Sequence, residues 1–267
     1  MRSSKIKRVL VCRPTYFNVE YIINPRMQPY SVNSKHAIKQ WENLVKVLKT
    51  LKIKVEVIDQ REDVPDMVFA ADQGIIKNGA VLLANFRFSQ RQKERVYYRE
   101  WYRDNGFRLR SLSNVFPFEA SDALAFDGML FVGTNFRAST ATCEELAQKL
   151  DMQVVPLQMV DPYFYQLSMA FLPINDKTAF YYPSAISKNS QELLKKLIPD
   201  LRVLSKQSAH AYAANSFVCD KDIIIAKNIP EDFHADLRDL GMKIHEVDVS
   251  EFNKAGGGIY CLINVLE

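Results

Sequence analysis

Four times along this chain, a pair of short apolar runs joined by a turn is followed by an amphipathic helix and one further short strand. In the first copy the paired runs span residues 74–86 and turn at Asn78-Gly79, a dipeptide that accepts the positive φ angles of a tight hairpin. A helix over 89–103 and a strand over 107–112 complete that copy. The second turns at Asp127-Gly128 within 122–133, continues as a helix over 139–150 and ends in an extended run at 152–156. The third turns at Asn175-Asp176 within 169–182, with a helix over 190–198 and a strand over 201–204. The fourth turns at Asp220-Lys221-Asp222 within 216–226, with a helix over 230–240 stopped by Gly241 and a strand over 242–247. One such unit cannot bury its own apolar face, so copies recurring at roughly 50-residue intervals must pack side by side.

What the four copies leave over is a strand at 6–12, a helix over 34–52, a strand at 53–57, and a terminal strand at 259–265. The helix carries an apolar stripe of Ala37, Ile38, Trp41, Leu44, Val45, Leu48 and Leu51, with Ser34 as its cap. If the terminal strand pairs with the initial one, the two supply the missing hairpin, a fifth unit forms, and no sheet edge is left open. The expected fold is α/β: a five-bladed β/α propeller of ββαβ units, closed by pairing of the N- and C-terminal strands. No linker marks a boundary, so residues 1–267 are expected to form one domain.

In such a ring, equivalent positions converge on the axis. Each unit places polar residues just before its first strand: Asp66 and Asp72 in the first, Glu119 and Asp122 in the second, Gln166 and Ser168 in the third, Asn215 in the fourth. A single aspartate there is ordinarily a turn or cap residue, but chance turn residues have no reason to share a place in a repeat. The fifth unit contributes Cys261, which follows Gly256-Gly257-Gly258 and is expected where a tight loop enters a strand. A thiol held there on a rigid backbone, facing a pocket, is placed as a nucleophile; the same thiol in an apolar core is only a small hydrophobe.

Composition narrows the partners. The chain is 48% hydrophobic and 25% charged with a net charge of +4 spread along its length, and no basic tract alternates with aromatics, so a nucleic-acid module is not expected. The most basic stretch, 87–110, spaces its charges as a solvated helix face would. No apolar run is long enough to span a membrane, and the first residues lack the apolar centre of a signal peptide, which points to the cytoplasm. Cys12, Cys143, Cys219 and Cys261 lack metal-ligand spacing and are expected as reduced thiols, with no metal and no cofactor. Oligomeric state is left open, a homo-oligomer included.

The sequence resembles the guanidino-group-modifying (pentein) superfamily, which includes arginine deiminases, dimethylarginine dimethylaminohydrolases and amidinotransferases. The resemblance rests on Cys12-Arg13-Pro14 with Asn24-Pro25, on Pro65-Asp66-Met67-Val68-Phe69 leading to Asp72, and on Asn85-Phe86-Arg87. It continues in Phe118-Glu119-Ala120-Ser121-Asp122, in Gly133 to Arg137, and in Gly256-Gly257-Gly258-Ile259-Tyr260-Cys261. It implies a five-bladed propeller and attack by Cys261 on the guanidino carbon of arginine or a methylated arginine. Asp72, with Asp66, Phe69 and Asp122 nearby, would hold the guanidinium by charge-assisted bonds. Arg137 and Arg87 would hold the substrate carboxylate, Ser168 and Asn215 would complete the pocket, and Glu119 would orient a catalytic histidine. Related arginine dihydrolases tend to carry Asn where this chain has Asp72.

Two residues of one triplet depart from that pattern, and Ala120-Ser121 stands where the family often has glycines. Where the family opens its third unit with His-Leu-Asp or a similar triplet, this chain has Gln166-Leu167-Ser168. A primary amide shuttles no protons, a function worth roughly 100-fold to 10,000-fold in rate. Of His36, His210, His234 and His245, only His210, five residues before Asn215, is a candidate substitute. Two readings stand: an amidinohydrolase with impaired turnover, and an arginine-binding or interaction module that has lost catalysis.

Overall fold

A computed structural model describes residues 6–113 and 116–267. The chain enters through β1 (Arg8–Arg13), α1 (Ser34–Thr50) and β2 (Lys54–Asp59). The first complete unit is β3 (Gly74–Lys77), β4 (Ala80–Leu83), α2 (Ser89–Gln92), α3 (Glu94–Asp104) and β5 (Arg108–Ser111). The second is β6 (Ala123–Phe126), β7 (Met129–Thr134), α4 (Thr140–Leu150) and β8 (Gln153–Gln158). The third is β9 (Phe171–Pro173), β10 (Thr178–Tyr181), α5 (Lys188–Leu197) and β11 (Asp200–Val203). After α6 (Lys206–His210), the fourth is β12 (Phe217–Cys219), β13 (Asp222–Ala226), α7 (Glu231–Asp239) and β14 (Lys243–Val247). The chain closes with α8 (Ser250–Asn253) and β15 (Asn264–Val265).

These strands form five three-stranded sheets with one shared plan: the first two strands pair antiparallel, the second and third parallel. The fifth sheet is assembled from both chain ends in the order β15-β1-β2, with Val9 opposite Val265 and Leu10 opposite Asn264. The expected closure is therefore present. The hairpins of the first two complete units have the expected backbone: Asn78 and Gly79 have φ of 51° and 68°, Asp127 and Gly128 of 44° and 77°.

Three expectations need correction. The terminal strand is only β15, because residues 260–262 form a 3-10 turn, so Cys261 lies in that turn and not at the mouth of a long strand. The cap of α1 is Asn33, whose side chain accepts from the His36 N–H, and Ser34 is the first helical residue. The basic stretch is not wholly a solvated face: Arg91 and Glu94 are buried.

The 3-10 turn is what places the site. Every unit enters its first strand through one: Ala70–Gln73 before β3, Ala120–Asp122 before β6, Leu167–Met169 before β9, Ala213–Asn215 before β12, and Tyr260–Leu262 before β15. The first four of these turns pack in succession, and the fifth returns to the first. A tightened turn at each strand entrance projects one side chain per unit towards the common axis.

Candidate active site

Gln166 stands at the centre of a buried polar cluster. Its Nε2 donates to Asp72 Oδ1 at 3.0 Å and to Glu119 Oε2 at 2.7 Å. That contact pair fixes the amide's orientation, because the reversed group would set its oxygen against two carboxylates. The other oxygen of each carboxylate meets an arginine: Arg91 Nη1 donates to Asp72 Oδ2 at 2.7 Å, and Arg137 Nη1 to Glu119 Oε1 at 3.0 Å. Arg91 also makes a two-pronged pair with Glu94, Nε to Oε1 and Nη2 to Oε2, both at 2.8 Å. Gln73 donates to the same Glu94.

The thiol sits beside this cluster. Asn215 Nδ2 donates to Cys261 Sγ at 3.3 Å and to Ser168 Oγ at 3.3 Å, while the Cys261 N–H donates to Asn215 Oδ1 at 3.4 Å. Burial pushes the Cys261 thiol up to about 12, and the charge of Asp72 adds to the shift; the Gly258 backbone and the Asn215 amide pull the other way. Without a cation beside it, Cys261 is therefore a thiol near neutrality. The glycine run lets the loop pass this close: a Cβ on Gly257 would stand 2.2 Å from the Phe69 ring, and one on Gly258 would stand 2.8 Å from Asn215 Oδ1. Gly256 has φ of 92°, a left-handed conformation that glycine adopts at little cost.

Asp66 and Asp122 lie at the cluster's margins. Asp66 Oδ2 accepts from the Tyr21 hydroxyl at 2.9 Å, and burial raises its carboxyl to about 6 against the pull of Arg91. Asp122 Oδ1 accepts from the Leu167 N–H at 3.4 Å, tying the second unit to the third; burial, then Glu119, raises its carboxyl well above the ordinary range. One oxygen of each, Asp66 Oδ1 and Asp122 Oδ2, is buried without a hydrogen-bond partner among the described residues.

Two expected participants fall elsewhere. Arg87 is exposed and donates to the carbonyls of Phe136 and Asn135, so it is not part of the buried cluster. His210 packs its ring against Tyr163 and Phe164, with centroids 5.1 and 5.2 Å away, and so joins an aromatic group instead of the polar cluster around Gln166. Burial and then Arg26 lower its pKa. His36 meets Glu251, His234 meets Glu246, and His245 meets Asp222, all away from the axis.

Sequence reasoning named Asn24 only within the resemblance and did not find the other groups that close the site. Residues 14–33 carry no helix or strand and reach across it: Tyr21 bonds Asp66, the Ile23 carbonyl accepts from Arg137 Nη2 at 3.2 Å, and Asn24 donates to the Ala255 carbonyl at 3.2 Å. Arg26 anchors this covering segment, its guanidinium 4.1 Å from the Tyr163 ring centre and 4.3 Å from that of Tyr212. Nor did it find Arg91 and Glu94, whose i, i+3 spacing is that of any surface ion pair. With the segment in place Asp72 and Cys261 are each 2% exposed, so a ligand reaches them from this side only if it moves.

A family model described as N,N dimethylarginine dimethylhydrolase, eukaryotic, matches residues 15–266. Among characterised relatives, the N(G),N(G)-dimethylarginine dimethylaminohydrolase of Mycobacterium tuberculosis is 33% identical over 97% of this chain and 86% of its own length. The bifunctional arginine dihydrolase/ornithine cyclodeaminase ArgZ of Synechocystis is 32% identical over 96% of this chain, which spans only 37% of that longer protein. The crystal structure of the ArgZ N-terminal domain bound to product superposes with a TM-score of 0.94 at 31% identity, covering 97% of each chain. A dimethylarginine dimethylaminohydrolase adduct at 16% identity shares the fold, with a TM-score of 0.84. Five matching sheets, closure by the two chain ends and a family match over nearly the whole length lead to one conclusion: this chain belongs to the dimethylarginine dimethylaminohydrolase family of the pentein superfamily.

Proposed function

We propose that residues 1–267 act as one propeller domain that takes a cationic guanidino compound of the arginine class and links its guanidino carbon to Cys261, with subsequent hydrolysis slow or absent. The observation that carries this reading is the charge balance around Gln166. Among the described residues, pairing Arg91 with Glu94 and Arg137 with Glu119 leaves Asp66, Asp72 and Asp122 no ion-paired cation beyond the second contact of Arg91. Buried carboxylates in that state either hold protons or receive a cation. A guanidinium offers planar, paired donors suited to Asp72 and to the unpartnered Asp66 Oδ1.

The same cation changes the thiol. Neutralising Asp72 removes the second-largest cause of the raised Cys261 pKa, so substrate binding favours the nucleophile that attacks it. Attack forms the S–C bond and breaks one C–N bond, and the thiol's proton leaves with the amine. This first step yields an amidino-thioether cation from a guanidinium cation and discharges no net proton. Hydrolysis does: water adds to the carbon, the S–C bond breaks, the sulfur regains a proton, and one further proton must go to a base. The Gln166 amide cannot accept it, so the second step is the one impaired.

Intact-mass analysis after incubation with arginine and its methylated forms tests this directly. An accumulating adduct that maps to Cys261 and is absent from Cys261→Ser is the expected result. Gln166 itself favours a second reading, a non-catalytic binder, because its amide occupies hydrogen-bonding positions on both Asp72 and Glu119. Calorimetric binding without an adduct selects that reading. Neither binding nor adduct with any compound overturns both.

A further inference from the structure

The 3-10 turns have a second side. Two cavities, of about 170 and 220 Å³, lie against the turn ring, and none of the residues of the covering segment lines either one. The residue three positions before the first strand is Ala71 in the first unit, Ala120 in the second, Ser168 in the third and Ala214 in the fourth. All four line these cavities, and their chain neighbours include Asp72, Glu119 and Asn215. The floor of the axial site is thus built from small side chains, one per unit. The fifth unit has Cys261 at that position, and the bulky residue next to it, Tyr260, lines both cavities.

The wall between cavity and thiol is thin. Ser168 lines the smaller cavity, its Oγ is 3.3 Å from Asn215 Nδ2, and that nitrogen is 3.3 Å from Cys261 Sγ. Cys261 itself is 2% exposed and lines neither cavity, so Ser168 and Asn215 stand between it and the smaller one. We propose that small uncharged molecules reach the Cys261 thiol from this rear face, with Tyr260 as the gate between the two cavities. Apolar walls such as Leu124, Phe217 and Leu130 set the class of visitor, because they replace none of the hydration that an ion must give up. Ala125 is exposed and lines both cavities, which marks it as part of the shared rim.

The test needs no guanidino chemistry, so it stands or falls apart from the function proposed above. The full chain is treated with methyl methanethiosulfonate, small and neutral, or with its trimethylammonium-ethyl analogue, which is charged, and labelling is mapped by peptide mass. Tyr260→Ala should raise the rate at Cys261 with the neutral reagent by about tenfold, the scale of one small local opening, and change the charged reagent's rate much less. Ala125→Trp should slow the neutral reagent in both the parent and the Tyr260→Ala background. Cys12, Cys143 and Cys219, also buried, report on general loosening. The proposal is overturned if Ala125→Trp leaves the neutral rate unchanged in both backgrounds. It is equally overturned if Tyr260→Ala accelerates all four cysteines together, or if only Arg26→Ala, which frees the covering segment, speeds labelling at Cys261.

Discussion

Gln166 is where residue chemistry and family pattern meet. Its place one residue before a 3-10 turn is shared by Glu119, and that shared place in the repeat is what makes both legible in the sequence. Arg91, Glu94 and Tyr21 are not legible there, because nothing in a local pattern distinguishes a buried ion pair from a solvated one. Gln166→His should restore sustained ammonia or amine release from a guanidino substrate, beyond the single equivalent freed as the adduct forms, since an imidazole beside Glu119 titrates near neutrality where the amide does not. Release would be followed against Cys261→Ser, and robust release by the parent chain would show that a different base already serves. Asp66 gives a prediction independent of substrate. Its carboxyl moves from an ordinary 3.8 to about 6 on folding, so between those values the native state holds a proton that the unfolded state has released. That contribution to stability is complete below about pH 4 and lost as pH rises through 6, an effect of about 3 kcal/mol at most. Denaturant titrations of the parent and Asp66→Asn from pH 4 to 7 should diverge by a slope that the variant lacks; parallel curves would place the proton elsewhere.

At the scale of elements, the hairpins were readable because Asn78-Gly79 and Asp127-Gly128 can take the left-handed angles that tight turns need. The 3-10 turns were not. Residues 259–263 are apolar or small and nearly all buried, and a short buried run looks alike whether it is a strand or a turn packed on every side. The glycines before them were legible as a close approach, although not what they approach. The Phe69 ring fills the space a Gly257 side chain would need, with Cε1 at 2.2 Å and Cδ1 at 2.7 Å from the added carbon. Gly257→Ala should therefore destabilise the protein by about 1–3 kcal/mol, the usual range for an overpacked site. Phe69→Leu in the same chain should recover part of that loss. Equal stability of the parent and Gly257→Ala would mean that the loop and ring separate readily, and that the covering segment above them is less firmly seated than its anchors suggest.

For the molecule as a whole, the leftover elements at the two ends implied the ring, because four complete units and two fragments leave one economical arrangement. What the sequence could not convey is how few contacts close it. β15 has two residues, and beyond its two ladder positions the junction has Lys7 N–H to the Glu267 carbonyl at 2.8 Å, Leu266 N–H to the Arg8 carbonyl at 2.9 Å, longer bonds from Arg8 N–H to the Glu267 carbonyl and from Glu267 N–H to the Arg8 carbonyl, and the Arg8–Glu267 ion pair at 2.8 Å. Asn264 adds a different link, its Nδ2 donating to the carbonyls of Ala70 and Gly74, both at 3.0 Å, which joins the fifth unit to the first across the turn ring. Asn264→Ala removes both bonds and leaves two buried carbonyls short of a donor, a loss of about 2 kcal/mol. Because Asp72 lies between those two residues, in the 3-10 turn that begins at Ala70 and ends just before Gly74, the variant should also weaken the arginine binding proposed above while the five sheets persist. Deleting residues 260–267 goes further: it removes the whole of β15 together with Cys261, exposes the β1 edge, and should abolish cooperative melting. If the truncated chain melts at the parent temperature, ring closure contributes nothing to stability. If Asn264→Ala loses stability but keeps its affinity for arginine, closure is a matter of architecture alone and does not set the position of Asp72.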